Sequence, residues 1–191
     1  MDPTHEHNDP LEGTLVTRVA AGDLRAFEEL YQLYERRVYH YICTFVRDGA
    51  LAEEIVGDVM LAVWRGARDF AHQSRVSTWI FGIARHKAFD ALRRTGRHDC
   101  EAVAIDDVPD LPSQHDETQR EQLGSVTRQA LTKLSPEHQE VLRLVFYEEL
   151  PYDEIAQLLR IPENTVKTRV FYAKQQLKRQ MSRLIARESV L

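Results

Sequence analysis

The residues best suited to molecular recognition lie near the C-terminus, on one side of a stretch with helical periodicity. Polar and aromatic side chains share that side with cations at its flank: Asn164, Thr168, Phe171, Tyr172 and Gln175, with Lys167, Lys174 and Lys178. At about 100° per residue, the apolar positions fall opposite them: Val166, Val170, Ala173 and Leu177. This combination is typical of a helix that lies in a DNA major groove. An ordinary helical hairpin with a solvated basic face has the same pattern, and the spacing favours DNA binding over it.

The residues just before this stretch predict a shorter helix and a tight turn, which completes a helix-turn-helix. Pro151 suits a helix start because it lacks an amide hydrogen that the first turn would leave unpaired. The next two turns have an apolar side made of Ile155, Ala156, Leu158 and Leu159. Pro162 disfavours helical geometry in the residue before it, which places the turn at Arg160-Ile161-Pro162. Asn164 or Thr165 can then cap the second helix.

A second candidate for nucleic-acid chemistry lies earlier in the chain. Residues 69–75 are polar and aperiodic, which predicts a loop, and Ser77 or Thr78 can cap a helix from about Trp79 to Arg94. The inward side of that helix carries Ile80, Ile83, Ala84, Ala88 and Leu92, and its other sides carry Arg85, His86, Lys87, Asp90, Arg93 and Arg94. A loop of small and polar residues that leads into a basic helix can hold an unpaired base and the neighbouring phosphates.

The distribution of charge is compatible with a nucleic-acid partner, although the formal net charge is −5. Residues 65–98 contain eight lysines and arginines against two acids, and residues 160–191 contain eight against two. Between these blocks, residues 99–121 carry eight acids and one arginine. Because salt screens charges beyond about 10 Å, each block acts through its local sign and not through the average.

Composition indicates a soluble intracellular protein. The chain has 191 residues, 43% of them apolar, and its apolar runs are too short to span a bilayer. The polar start of the sequence argues against export. Two cysteines have no metal-like spacing; Cys43 is expected to be a packed thiol, and Cys100 lies in a polar stretch. A metal bound by His5 and His7 is disfavoured, since flexible terminal histidines are usually solvated.

Helical spacing elsewhere predicts an all-α protein. A short helix over about 15–21 ends at Gly22, Asp23 can cap the next helix, and helical spacing then continues to Phe45. A third helix, about 51–65, buries Ala52, Ile55, Val56, Val59, Met60 and Val63. Its outward acids, Glu53, Glu54 and Asp58, form either a solvated face or a docking surface for a basic partner. Two further helices, about 122–134 and 136–147, precede the helix-turn-helix.

Two stretches of this sequence resemble the extracytoplasmic-function (ECF) sigma factors of bacterial RNA polymerase. The stretch LSPEHQEVLRLVFYEELPYDEIAQLLRIPENTVKTRVFYAKQQLKR resembles their fourth domain, and ALAEEIVGDVMLAVWRGARDF with VSTWIFGIARHKAFDALRR resembles their second. Both motifs in this order, joined by a short linker, are highly specific. The implied fold is two small helical domains joined by a flexible acidic linker. The boundaries are a disordered N-terminus (1–13), domain 2 (14–95), the linker (96–119), domain 4 (120–185) and a tail (186–191).

The resemblance implies a dissociable promoter-specificity subunit with no catalytic chemistry, metal, cofactor or small-molecule substrate. Its implied partners are core RNA polymerase, promoter DNA and an anti-sigma factor, without membrane insertion. The implied −35 contacts are Arg160, Asn164, Thr165, Lys167, Thr168, Arg169, Phe171 and Tyr172. The implied −10 contacts are Ala71, His72, Gln73, Ser74 and Arg75 with His86, Asp90, Arg93 and Arg94, and the implied polymerase contacts are Glu53, Glu54 and Asp58.

Several positions depart from the family pattern. Gly57 stands where a polymerase-facing glutamine is common, and Arg160 stands where the turn often carries glycine. His86 replaces a frequent asparagine near the −10 site, and Phe171 and Tyr172 replace residues that are commonly polar or basic. These two aromatics either touch DNA or pack within the domain.

Two other function classes have less support in the sequence. A free-standing helix-turn-helix repressor that binds an operator as a dimer would leave the domain 2 motif unexplained, and the acidic net charge counts against it. A metal-dependent or hydrolytic enzyme built on the eight histidines would need paired carboxylates, a nucleophile motif or a spaced ligand cluster, and the sequence offers none.

Overall fold

The computed structural model describes residues 10–95 and 117–188. This part of the chain forms eight α-helices: α1 (Pro10–Ala20), α2 (Leu24–Ile42), α3 (Gly49–Gly66), α4 (Val76–Thr95), α5 (Glu117–Leu131), α6 (Pro136–Phe146), α7 (Tyr152–Leu159) and α8 (Glu163–Glu188). A short 3-10 helix, Ala67–Asp69, follows α3. No strand occurs within the two described ranges, and the predicted all-α class is confirmed. None of these helices is long and apolar enough to cross a bilayer.

The N-terminal half, α1–α4, is built around the aromatic side of α2. Tyr34 and Tyr41 are fully buried, and both rings lie against Phe81 of α4, with the Tyr41 and Phe81 centroids 5.2 Å apart. The aromatic residues of α2 therefore serve mainly as core. Every predicted inward residue of α3 is buried as well: Ala52, Ile55, Val56, Val59, Met60 and Val63. Cys43 is buried as predicted.

Helix starts are where the structure differs most from the expected bounds. Asp23 caps α2 as predicted, since its carboxylate accepts hydrogen bonds from the amides of Arg25 and Ala26. However, α1 begins at Pro10, so residues 10–13 are helical and not part of a disordered N-terminus. A tertiary contact holds this first turn in place, because Glu12 is buried and its carboxylate lies 3.5 Å from the Arg37 guanidinium of α2. Helix α4 begins at Val76, ahead of the predicted Trp79.

The C-terminal half, α5–α8, contains the predicted helix-turn-helix in α7 and α8. Val166, Val170 and Ala173 of α8 are buried, together with Ile155 of α7. The predicted caps of α8, Asn164 and Thr165, were both wrong, because the helix starts at Glu163 and both residues lie inside its first turn. There the Thr165 amide donates a hydrogen bond to the Pro162 carbonyl at 2.8 Å. The acidic linker, apart from the few residues that open α5, lies outside the described residues, as do Cys100, His5 and His7.

The tight turn of the helix-turn-helix has backbone strain at Arg160. This residue ends α7 in the left-handed region, at φ 55° and ψ 46°. Left-handed geometry costs a non-glycine residue about 1 kcal/mol because its Cβ crowds the carbonyl oxygen that follows.

Arg160→Gly should therefore raise the free energy of unfolding by about 1 kcal/mol and the Tm by about 3 °C. Thermal unfolding followed by circular dichroism tests the expectation. Arg160→Ala is the matched control, since it removes the same side chain but keeps the Cβ, and it should give no such gain. Equal stabilisation by both variants would assign the effect to the guanidinium group and not to the backbone.

Candidate nucleic-acid interface

The exposed side of α8 contains most of the residues predicted to bind DNA. Asn164, Lys167, Thr168, Phe171 and Tyr172 are exposed, opposite the buried apolar face, as the helical spacing predicted. Two local contacts order this surface, since the Lys167 ammonium lies 2.6 Å from Glu163 and the Thr168 hydroxyl donates to the Asn164 carbonyl at 2.8 Å. This side of the helix is therefore free to enter a groove without unfolding of the domain.

Phe171 and Tyr172 are the exposed aromatic residues of this surface. Their exposed fractions are 61% and 51%, and their ring centroids lie 5.4 Å apart in an edge-to-face arrangement. The alternative in which they pack within the domain is therefore wrong. A neighbouring ring, Phe146, is 47% exposed and has the Lys174 ammonium 4.6 Å from its centroid. Large exposed aromatic groups beside cations indicate a contact surface.

The remaining −35 candidates, Arg160, Thr165 and Arg169, differ in accessibility. Arg160 is exposed at the turn, whereas Thr165 and Arg169 are half-buried at the edge of the surface. Arg169 also lies close enough to Glu140 of α6 to act on its carboxyl group. Burial raises the pKa of that carboxyl above its ordinary value, and the positive charges of Arg85 and Arg169 oppose the rise. Arg169 thus faces both the surface and the interior.

The predicted −10 loop is anchored by stacked rings. Phe70 stacks on Trp79 with ring centroids 4.7 Å apart, and the His72 ring lies tilted against Phe70 with centroids also 4.7 Å apart. The His72 backbone is in the left-handed conformation, at φ 53°. Ala71, His72 and Gln73 are exposed, while Ser74 and Arg75 are half-buried. A short loop with a fixed base and exposed polar tips is a suitable shape for holding an extruded nucleotide.

The helical −10 candidates form a separate patch farther along α4. His86 Nδ1 lies 3.0 Å from Asp90, and Asp90 also pairs with Arg93. A recess of about 370 Å³ is lined by Asp58, Lys87, Asp90, Arg93 and Arg94. Since a helix rises 1.5 Å per residue, this patch begins about 15 Å from the loop. The loop and the patch are therefore expected to contact different nucleotides.

The acidic residues of α3 lie partly beside this patch. Glu53 and Glu54 are exposed, whereas Asp58 is half-buried and lies 3.7 Å from the Lys87 ammonium of α4. A groove of about 580 Å³ next to Glu53 was missed by the sequence analysis. Its lining residues come mostly from α2: Tyr31, Glu35, Arg36, Tyr39 and His40, with Glu53 and Val56 of α3. Tyr31, Glu35 and Tyr39 recur at four-residue intervals, which places them on one face of α2. This spacing was the sequence signal for one wall of the groove.

The two halves meet in a docking contact that pairs arginines of α2 and α4 with carboxylates of the C-terminal half. The Arg37 guanidinium lies 2.9 Å from Glu148, and Arg85 Nε lies 3.0 Å from Glu140. The Tyr41 hydroxyl donates to the same Glu140 oxygen at 2.7 Å. Burial raises the pKa of Glu148, as it does that of Glu140, against the nearby arginine charges. No pattern in the sequence indicates this contact.

A third ion pair of the docking contact involves the predicted −10 loop itself. Arg75 Nε lies 3.5 Å from a Glu154 oxygen of α7, and its terminal nitrogen donates to the Glu149 carbonyl at 3.0 Å. Part of the −10 surface is thus covered in this arrangement, while the exposed side of α8 stays open. Across the described ranges, no group of three or more metal-ligating side chains converges.

Two protein-family models match the parts of the chain that carry these surfaces. Sigma-70 region 2 matches residues 30–98, and Sigma-70 region 4 matches residues 126–177. The ECF RNA polymerase sigma factor RpoE of Cereibacter sphaeroides is 30% identical over 162 residues, which cover 84% of this chain and 88% of that relative. The chain belongs to the ECF sigma factor family.

The similarity of this sigma factor to known proteins extends over most of its length. It is 27% identical over 181 residues to the RNA polymerase sigma-H factor of Pseudomonas aeruginosa, covering 90% of this chain and 94% of that one. A solved structure of the sigma factor RpoE with the anti-sigma factor NepR from Bartonella quintana matches with a TM-score of 0.60. That match covers 82% of this chain and 96% of the other at 23% identity, and it shows a shared fold. The resemblance stated from the motifs is confirmed.

Proposed function

We propose that this sigma factor directs core RNA polymerase to promoters by reading a −35 element with α8 and a −10 element with the loop and exposed side of α4. The observation that carries the proposal is the open side of α8, where polar, basic and aromatic residues stand opposite a buried apolar face. A second basic surface, within the residues that match Sigma-70 region 2, is proposed to recognise the −10 element. This role needs no catalytic group, cofactor or small-molecule substrate in the protein, and it belongs in the bacterial cytoplasm.

Reconstitution with core polymerase and a promoter library tests the proposal. Transcript start sites should define a two-part promoter motif that core polymerase alone does not use. A free-standing repressor would instead bind duplex DNA tightly without polymerase and produce no new start sites. Failure of the chain to associate with core polymerase would sink the proposal.

Substitutions in the −10 loop test whether recognition of the −10 element is independent of recognition of the −35 element. Because Ala71, His72 and Gln73 are exposed and lie far from the exposed side of α8 in the chain, alanine or glycine replacements there should change base preference at −10 only. The same library, sequenced by start site, reports both elements at once. A matched change in −35 preference would show that the loop acts through folding and not through base contact.

The polymerase-binding surface is proposed to centre on Glu53, Glu54 and Asp58 of α3. Two of these acids are exposed, and the neighbouring α2–α3 groove offers both apolar and charged walls to a partner helix. Gly57 lies on the same face, is exposed, and has open space where a Cβ would stand. Glycine inside a helix costs about 1 kcal/mol of stability relative to alanine.

Gly57→Gln should therefore stabilise the protein by about 1 kcal/mol and also tighten its binding to core polymerase. Gly57→Ala is the matched control, because it gives the same helix stabilisation without a side-chain amide. Thermal unfolding measures the first effect, and fluorescence titration with core polymerase measures the second. Equal polymerase affinity for both variants would contradict a contact at this position.

We infer that an anti-sigma factor controls this protein, in a stress or envelope response. The related RpoE structure holds the anti-sigma factor NepR. In the present chain, the docking contact already covers Arg75 of the −10 loop, so a partner that stabilised this arrangement would reduce promoter binding. The test is a candidate partner that forms a defined complex with the full chain and inhibits the reconstituted holoenzyme. A partner that binds without inhibiting would contradict this inference.

A further inference from the structure

The exposed middle of α4 holds a histidine whose ring is oriented by a carboxylate one turn later. His86 Nδ1 lies 3.0 Å from one Asp90 oxygen, and the Arg93 guanidinium pairs with the other oxygen. Asp90 is half-buried at the edge of the recess that Lys87 and Arg94 also line. The His86 side chain is 71% exposed, so the edge of its ring away from Asp90 is open to a ligand.

This pairing decides which nitrogen of His86 carries the proton. An ionised carboxylate only accepts hydrogen bonds, and each Asp90 oxygen has one donor opposite it. Nδ1 is the protonated nitrogen, because a bare Nδ1 would place two acceptors 3.0 Å apart. In a neutral imidazole the second nitrogen then has no proton. Nε2 of His86 is thus a hydrogen-bond acceptor on the exposed side of α4.

The place of His86 on α4 determines which edge of a base it meets. The patch begins about 15 Å from the loop, a distance of about four base-pair steps at roughly 3.4 Å each. The base opposite His86 is therefore not the one that the loop is proposed to hold extruded. While that base is still paired, it offers a helix its major-groove edge.

An exposed acceptor on this surface selects among the four bases. In the major groove, adenine and cytosine present an exocyclic amine, which donates hydrogen bonds, whereas guanine and thymine present carbonyl oxygens, which accept them. A bare Nε2 pairs with the amines and is repelled by the carbonyl oxygens. We propose that His86 reads one −10 base by accepting a hydrogen bond from its exocyclic amine, and that Asp90 is the positioning residue that fixes the required tautomer.

This assignment rests on the proposed function, which places the exposed side of α4 at the −10 element, and it adds two features. It names the chemical class of base at one position, adenine or cytosine as opposed to guanine or thymine. It also makes Asp90 a residue that acts through His86, since both of its oxygens already face donors within the protein.

Removal of the amine from the DNA tests the contact directly. Start sites from the promoter library should show one −10 position where the wild-type holoenzyme prefers adenine or cytosine about fivefold, the effect of one hydrogen bond, and where His86→Ala has no preference. At that position, unsubstituted purine in place of adenine, or pyrimidin-2-one in place of cytosine, should abolish the wild-type preference and leave His86→Ala unaffected. Weaker base pairing of these analogues affects both proteins equally. Assays at about pH 8 keep an exposed histidine neutral.

Asp90→Asn tests the tautomer. An amide can donate as well as accept, so asparagine can hold a bare Nδ1 and move the proton to Nε2. The variant should lose the preference for adenine and cytosine at the His86 position and use guanine or thymine there at least as well. Glu29→Gln is the matched control, because it makes the same charge change in an exposed ion pair with Arg18 of α1, and it should keep the wild-type preference. An unchanged base preference in Asp90→Asn would overturn the role of Asp90, even if overall transcription fell.

The outcomes separate this inference from the proposed function. Wild-type start sites that define no −10 element contradict the proposed function itself. A defined −10 element in which His86→Ala alters no position, or alters one where the wild type prefers guanine or thymine, overturns the inference alone. A preference that depends on the amine in the wild type and is absent from His86→Ala supports it. Circular dichroism confirms that each variant is folded.

Discussion

Joint replacement of Lys167 and Phe171 with alanine is expected to reduce promoter-directed transcription by about 100-fold. Both side chains are exposed on the side of α8 that faces away from the core, so their removal should leave the domain folded. A lost phosphate or base contact weakens DNA binding by about 1–3 kcal/mol, and the two losses add when the residues touch different groups. The measurement is the rate of transcript formation by the reconstituted holoenzyme at a −35-dependent promoter.

The controls for this variant distinguish loss of DNA reading from loss of structure. Arg179→Ala removes an exposed cation three turns farther along α8 and should change the rate little. Affinity for core polymerase and the unfolding temperature should both be the same as in the wild type. If the double variant transcribes from the same promoters at the same rate, α8 does not read the −35 element.

Periodicity identified the helices whose burial is set by a single repeating face. All six predicted inward residues of α3 are buried, as are Val166, Val170 and Ala173 of α8, because hydrophobic burial enforces the helical period along the whole face. Helix starts were less predictable. Glu12 is buried and forms an ion pair with Arg37 of another helix. The sequence of residues 10–13 contains no pattern that predicts this contact.

The same distinction applies to the candidate DNA-binding surfaces: positions set by helical periodicity were predictable, and contacts between distant helices were not. Exposure of Phe171 and Tyr172 follows from their position opposite the apolar face, whereas the influence of the Arg169 charge on Glu140, which belongs to another helix, required the tertiary structure. The docking contact had no sequence signal, because Arg75 lies in an aperiodic polar loop and Glu154 occupies an ordinary polar position in its helical pattern. Charges that pair across long sequence distances add nothing to local periodicity, so only the tertiary structure brings them together.

Replacement of Arg85 with alanine is expected to separate the two halves. The Glu140 side chain is 3% exposed, and its carboxylate relies on Arg85 and on the Tyr41 hydroxyl for partners. Removal of the guanidinium leaves a buried charge, which costs about 3–5 kcal/mol, and undocking relieves that cost by returning Glu140 to water. Energy transfer between site-specific labels on α3 and α8 should fall accordingly. Arg65→Ala, which removes an exposed cation from α3, should leave the transfer unchanged.

The same variant should respond to acid with a definite sign. Burial raises the pKa of Glu140 above its ordinary 4.5, so the docked arrangement binds a proton more readily than the separated one. Its contribution to docking is complete below pH 4.5 and is lost as the pH rises through the docked-state pKa. Since Arg85 opposes the raised pKa, Arg85→Ala should move this loss to higher pH, and lowering the pH towards 4.5 should progressively restore docking. Adding Glu140→Gln to the variant should reduce that response to the part that the raised pKa of Glu148 supplies, and an undiminished response would place the titrating group elsewhere.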